Sequence, residues 1–202
     1  MRFVVIVSIF LFILGGCTCR QASLLIDSFE GNLDKTTVDF GAGRGSKVNI
    51  SASKQIKKCG EQSLRIEYES KPSGYMWVAR GYDLDVKGAA KWIKKPQEIP
   101  WKKFNAFSFW MYGNNSGHII AFDIKDNGGE MHRFIIEDNF KGWKKIICPF
   151  KDFFPRSDWQ PQKAVKNGVL DFPVKSFQFE PRTPGKGVIY IDCVRLEKIK
   201  NK

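Results

Sequence analysis

Ten short runs in this chain alternate apolar and polar residues with a period of two, and that pattern limits the fold more than any other feature. The runs are Leu24–Phe29, Lys47–Ala52, Ser63–Glu69, Met76–Asp83, Phe104–Tyr112, Ile119–Lys125, Met131–Asp138, Lys144–Phe150, Val174–Glu180 and Val188–Leu196. Successive side chains of a strand point to opposite faces, so alternation marks a strand with one face buried. Turn-forming residues separate most of the runs: Lys71-Pro72-Ser73-Gly74, Gly113-Asn114-Asn115-Ser116-Gly117, Asp126-Asn127-Gly128-Gly129 and Pro184-Gly185-Lys186-Gly187. No segment carries a convincing amphipathic-helix pattern. About ten strands in one domain predict an all-β sandwich or barrel.

The alternation also sorts faces. Phe107, Phe109 and Met111 share one face and Ser108, Trp110 and Tyr112 the other. Ile120, Phe122 and Ile124 read as core, which leaves Ala121, Asp123 and Lys125 outside. Trp110 and Tyr112 then stand on a face that should be polar, either covered by a loop or forming a stacking platform. With 17 Phe and 6 Trp, the chain has the material for a sizeable core, and disorder throughout is excluded. Residues 84–103 form a Lys-rich insert with room for a short helical turn.

The N-terminus points to export. Arg2 precedes an apolar run from Phe3 to Leu14. As a helix, twelve residues reach about 18 Å, too short for a hydrocarbon core of about 30 Å. The run therefore reads as the apolar region of a signal peptide. Leu14-Gly15-Gly16-Cys17 resembles the bacterial lipobox, which makes Cys17 the acylated residue and anchors the chain firmly. The expected layout is a signal peptide over 1–16, a lipidated tether over 17–23, a β-sandwich over 24–198 and a basic tail over 199–202. The expected location is the bacterial cell envelope. Thr18, in place of Asp after the cysteine, points to the outer membrane or cell surface. The net charge of +12 leaves acidic glycans, lipids and nucleic acids open on charge alone, and export argues against nucleic acid.

Several stretches, taken in order, resemble one family. They are Ile26-Asp27-Ser28-Phe29-Glu30-Gly31, the block from Gly60 to Tyr68, and Gly142-Trp143-Lys144-Lys145 running to Pro149-Phe150. Phe154-Pro155-Arg156-Ser157-Asp158-Trp159-Gln160-Pro161 follows, and Ile189-Tyr190-Ile191-Asp192 with Arg195-Leu196 closes the set. Their order and spacing resemble the family 11 carbohydrate-binding modules and the related complex-I-intermediate-associated-protein-30-like group. The resemblance spans roughly residues 24–197. It implies a galactose-binding-like jelly roll of two antiparallel sheets, a structural Ca²⁺ and a glycan cleft across the concave sheet.

Sugar recognition needs aromatic faces for the apolar side of a pyranose and planar polar groups for its hydroxyls. Arg156, Asp158 and Trp159 supply both within four residues, and the resemblance places Arg156 and Trp159 in the cleft. Trp77 matches another cleft aromatic, with Tyr75 as the alternative, and Arg80 and Tyr82 follow on the same or a neighbouring face. A further cleft tyrosine has no match in Phe177-Gln178-Phe179-Glu180-Pro181, where Glu180 and Arg182 could make polar contacts instead. That departure, with lysines 87, 91, 94, 95, 102 and 103, points to an acidic polysaccharide. For calcium the resemblance implies Glu30 and Asp192, with Asp27 as a weaker candidate. Cys59 and Cys193 sit beside the two segments that would meet there, which makes them a candidate disulfide.

Catalytic signals are poor. There is no Gly-x-Ser-x-Gly elbow or phosphate loop, and nothing in the spacing singles out a pair from Asp126, Glu130 and Glu137. Two histidines, 118 and 132, without a Cys-x-x-Cys pair argue against zinc. The expectation is a monomeric, membrane-anchored lipoprotein that binds polysaccharide without cleaving it. The alternatives are a scaffold lipoprotein contacting another envelope protein and, third, a polysaccharide-active enzyme.

Overall fold

The computed structural model describes residues 22–200. The expected signal peptide, Cys17 and most of the expected tether lie outside the described residues. Twelve strands form two six-stranded antiparallel sheets. The first sheet holds β1 (Ser23–Asp27), β3 (Lys47–Ser53), β4 (Ser63–Ser70), β6 (Ala106–Asn114), β9 (Lys141–Pro149) and β12 (Gly185–Glu197). Its order is β3-β4-β12-β6-β9, with β1 also on β12. The second sheet has the order β10-β8-β7-β11-β5-β2. Its strands are β2 (Asp39–Gly43), β5 (Tyr75–Gly81), β7 (Ile119–Lys125), β8 (Met131–Glu137), β10 (Phe154–Pro155) and β11 (Ser176–Pro181).

The core is where the alternation places it. Phe107, Phe109 and Met111 of β6 face Ile120, Phe122 and Ile124 of β7 and Phe177 and Phe179 of β11, all buried. The rings meet obliquely, with centroids of Phe109 and Phe122 4.8 Å apart and of Phe109 and Phe179 5.1 Å apart. Such offset contacts follow from the ring quadrupole. Residues 84–103 carry three single 3₁₀ turns, Lys87–Ala89, Pro96–Glu98 and Trp101–Lys103. They are held down by Trp92, which stacks on Phe177, and by Trp101, whose indole N–H donates to the Pro96 carbonyl.

Two strands do not show as alternating runs. β10 is two residues long, and β2 reads Asp39-Phe40-Gly41-Ala42-Gly43, which looks like turn sequence. The glycines of β2 are needed because Trp77 and Tyr75 of β5 lie across them. A Cβ at Gly41 would meet the Trp77 indole at 2.6 Å. On the outer face of the first sheet, Trp110 is half-buried beneath the Lys58 ammonium, and Tyr112 meets Trp143 and Tyr190 edge-on.

β12 is 13 residues long because it serves two partners in succession along one edge. It pairs with β4 over 185–191 and with β1 over 194–197. At the change of partner its register against β6 shifts between Asp192 and Arg195, and Cys193 adopts φ 52°. Cys193 is disulfide-bonded to Cys59 there, with Cα atoms 6.1 Å apart, inside the range a bridge requires.

Candidate functional site

Pairing across the second sheet builds one continuous outer face. Asp39, Ala79, Gln178, Asp123, Arg133 and Phe154 follow one another along a row set by strand register. Two residues further along, Gly41 lies opposite Trp77, and Ala121 lies opposite both Glu180 and Ile135. The polar residues of three strands thus converge on one patch.

That patch is a network of three guanidiniums and three carboxylates. Arg133 donates from Nε to Asp123 Oδ1 at 2.8 Å and from Nη2 to Glu180 Oε2 at 2.7 Å. Arg156 donates to Asp158 Oδ1 at 2.7 Å and to Asp123 Oδ2 at 3.1 Å. Arg182 reaches both Asp158 and Glu180 at 2.7 Å. Gln178 adds a bond to Asp123, in the strand where the resemblance offered no tyrosine. Asp123 was expected to be outside. It does face outward, but the arginines cover it completely.

The charges within the patch hold one another. Partial burial pushes the Asp158 carboxyl up. The hydrogen bond and charge of Arg156, then Arg133 and Arg182, outweigh that and hold it well below the ordinary carboxylate range. Burial pushes Glu180 up, against the pull of Arg156 and Arg133. Burial pulls Arg133 down, and Asp123, Glu180 and Asp158 more than reverse it.

Aromatic rings flank the network on both sides. Trp159 is 54% exposed, with the Arg156 guanidinium 5.5 Å from its centroid. Gln160 fastens this segment by accepting the Met131 N–H and donating to the carbonyls of Met131 and Arg156. On the other side Tyr75 and Trp77 lie nearly parallel, centroids 6.3 Å apart, and the Trp77 N–H donates to Asp39 Oδ1 at 2.8 Å. Both occupy the face, since they are two residues apart on β5. Exposed Ile135 and Phe154 extend its apolar surface.

Trp77, Arg156, Asp158 and Trp159 therefore come together on one face. Arg80 does not. In β5 it alternates with Met76 and Val78, which point inward, and it is 2% exposed. It pairs there with the equally buried Asp27, Nε to Oδ2 at 2.9 Å, and donates to the Thr37 carbonyl. A charge on the inner face needs such a partner. This removes Arg80 from the glycan-facing set and Asp27 from the metal set. Asp123, Arg133 and Gln178 are the site residues that sequence reasoning missed. Outward alternation was their only signal.

The implied calcium residues do not fit a hard-cation cage, which takes six to eight oxygens. Asp192 accepts the N–H groups of Lys58 and Cys59 on one oxygen and of Cys193 on the other. Glu30 accepts the Glu61 N–H. The Gln62 amide donates to the nearby carbonyls of Phe29 and Gly31. Backbone donors, an amide and the disulfide hold this seam together.

A sheet face with stacking rings around a hydrogen-bonding centre suits the apolar faces and the hydroxyls of a sugar. A family model described as "Carbohydrate binding domain (family 11)" matches residues 17–198, and the chain belongs to that family. The matched residues are a binding module of that family. Among curated proteins it is 23% identical over 155 residues to a mannan endo-1,4-beta-mannosidase of Bifidobacterium adolescentis, covering 77% of this chain and 14% of that protein. It is 24% identical over 192 residues to endoglucanase H of Acetivibrio thermocellus, covering 85% of this chain and 18% of that one. The chain thus spans less than a fifth of either relative. Among solved structures, the family 11 module of Clostridium thermocellum in complex with a beta-1,3-1,4-mixed-linked tetrasaccharide superposes with a TM-score of 0.69. It is 23% identical, over 89% of this chain and 98% of that one. A family 30 module of a Clostridium thermocellum cellulase has a TM-score of 0.53 at 14% identity, over 89% and 99%. These likenesses establish a shared β-sandwich fold.

Proposed function

We propose that the outer face of the second sheet binds a neutral polysaccharide, and that Cys17 carries the lipid that holds the module at a bacterial envelope membrane. The observation that carries the glycan reading is the order of groups across the face: Tyr75 and Trp77, then the arginine–carboxylate network, then Trp159. Paired carboxylates and guanidiniums present fixed acceptors and donors to sugar hydroxyls, and the flanking rings take the apolar ring faces.

Neutral glycan is preferred to acidic because the centre has no spare positive charge. Arg133, Arg156 and Arg182 are all engaged by Asp123, Asp158 and Glu180. The lysines that suggested an acidic ligand belong to the 84–103 segment and not to this network. The anchor reading is supported by the sequence around Cys17 alone.

A glycan array probed with the full chain carrying Cys17→Ser, together with a reducing-sugar assay, tests the first claim. Binding to neutral polysaccharide without release of reducing ends is expected. Binding confined to uronic-acid polymers, or no glycan binding, refutes it. Detergent-phase partitioning of the wild type and of Cys17→Ser tests the second. The variant should leave the detergent phase, and unchanged partitioning overturns the anchor.

A further inference from the structure

We propose that Asp126, Glu130 and His132 bind one divalent metal ion of the zinc class, and that this ion braces the wall carrying Arg156 and Trp159. The three residues border the tight turn between β7 and β8. Asp126 and Glu130 close that turn: the Asp126 N–H donates to the Glu130 carbonyl, and the Glu130 N–H donates to Asp126 Oδ1. His132 lies two residues on, alternating with Arg133, so it points away from the glycan face and into the molecule.

All three side chains are buried, at 0, 3 and 1% exposure. His132 Nε2 has no hydrogen-bond partner. It lies 3.5 Å from Asp126 Oδ2 and 3.7 Å from Glu130 Oε2, and the three ligand atoms all fall within 4.8 Å of one another. These separations are too long for N–H···O hydrogen bonds, which run from about 2.7 to 3.2 Å. The Asp126 separation matches two donors of one coordination shell: at metal–ligand distances of about 2.1 Å, tetrahedral neighbours lie roughly 3.4 Å apart.

Charge and donor type agree with that reading. Among the described residues, no Lys or Arg forms an ion pair with Asp126 or Glu130. Two buried carboxylates need a compensating charge, and a divalent ion supplies two. Backbone N–H groups aim the oxygens: Glu130 and Asp171 donate to Asp126, and Asn167 and Gly168 donate to Glu130. Each Asp126 oxygen accepts one such bond and keeps a further lone pair for a metal, while Glu130 Oε2 accepts two, which leaves Glu130 Oε1 to coordinate. One imidazole with two carboxylates suits zinc and its neighbours better than calcium, whose ligands are oxygens. The sequence argument against zinc counted histidines and cysteines, and could not see the carboxylates brought to one of them.

The site ties three segments together. Asn127 donates to the Asp171 carbonyl and Val165 to that of Gly128, so the turn already docks on residues 164–171. Residues flanking His132 grip the other wall: His132 is paired with Pro155, and Met131 is clamped by Gln160. The bracing of the glycan face rests on the function proposed above, whereas the metal site itself does not.

The test uses the full chain, free of any histidine tag and stripped of metal by chelation. Calorimetric titration with Zn²⁺ should show one equivalent bound. At a hundredfold excess of free zinc over Kd the melting temperature should rise by about 5–10 °C, with a much smaller rise for Ca²⁺. Co²⁺ should give a visible absorption band in the wild type, a readout that needs no variant. His132→Asn should abolish the zinc equivalent and the band, and Glu130→Gln should weaken both at least tenfold. Trp159→Ala should lose glycan binding yet keep the zinc equivalent, so a failed glycan reading and a failed metal site are told apart. No zinc uptake and no Co²⁺ band in the wild type, or calcium binding as tight as zinc, overturns the proposal.

Discussion

Replacing Trp159 by alanine should cost most of the glycan affinity and little of the stability. The indole is 54% exposed and its main neighbour is the Arg156 guanidinium at 5.5 Å. A Trp offers up to about 250 Å² of surface, so roughly 80–130 Å² is open to a sugar ring. At about 25 cal/mol per Å² that contact contributes about 2–3 kcal/mol, a loss of roughly 30- to 150-fold in Kd on truncation. Stability should fall by only about 0.5–1 kcal/mol, the size of an exposed cation–π contact. Phe122→Ala, in the core, should instead cost about 3–5 kcal/mol. Titration calorimetry against the best polysaccharide from the array reads the first quantity, and urea unfolding of the same samples reads the second. A Trp159→Ala protein with unchanged affinity, or one destabilised as much as Phe122→Ala, would refute the platform argument.

Arg80→Ala should destabilise by about 3–5 kcal/mol in urea unfolding, because it strands the Asp27 carboxylate inside the core. Variants that still fold should keep their glycan affinity. Reducing the Cys59–Cys193 bridge should lower the melting temperature, since the two residues are 134 apart and the chain-entropy model assigns such a loop about 4–5 kcal/mol. Added Ca²⁺ should not restore it, and restoration would reinstate a cation at Glu30 and Asp192. Asp158 is held below its ordinary range by Arg156, Arg133 and Arg182, so its contribution to stability is complete above about pH 4 and is lost as pH falls. The melting-temperature gap between wild type and Asp158→Asn should therefore narrow between pH 5 and pH 2, and a widening gap would contradict the assigned sign.

Much of the sandwich was legible because alternation is a local signal with a global cause. Phe107, Phe109 and Met111 announce their buried face within five residues, and the turn residues between runs set where strands end. β2 was not legible. Its Asp-Phe-Gly-Ala-Gly sequence lacks the side chains that mark a strand, because Trp77 and Tyr75 occupy the space those side chains would fill. The reason for its glycines lies 32 or more residues away in sequence, on another strand. The change of partner along β12 was hidden for a similar reason. A strand with two successive neighbours on one edge looks the same in sequence as a long strand with one.

The site divides along the same line. Arg156, Asp158 and Trp159 lie close enough in sequence to be seen as a unit. Arg80 was misplaced by neglecting parity: Trp77 is odd and outward in β5, so Arg80, three residues on, must be inward. The remaining members could not be assembled by reading forward. Asp123 and Arg133 face each other across β7 and β8, Glu180 and Arg182 arrive from β11 and just past its end, and Asp158 comes from an irregular segment. Sheet order makes neighbours of strands that are not neighbours in sequence, because β11 inserts between β5 and β7. That insertion sets Gln178 and Glu180 beside Asp123 and Ala121. The guanidiniums are thereby each shared between carboxylates, which is why the face offers directed hydrogen bonds and not a field of positive charge.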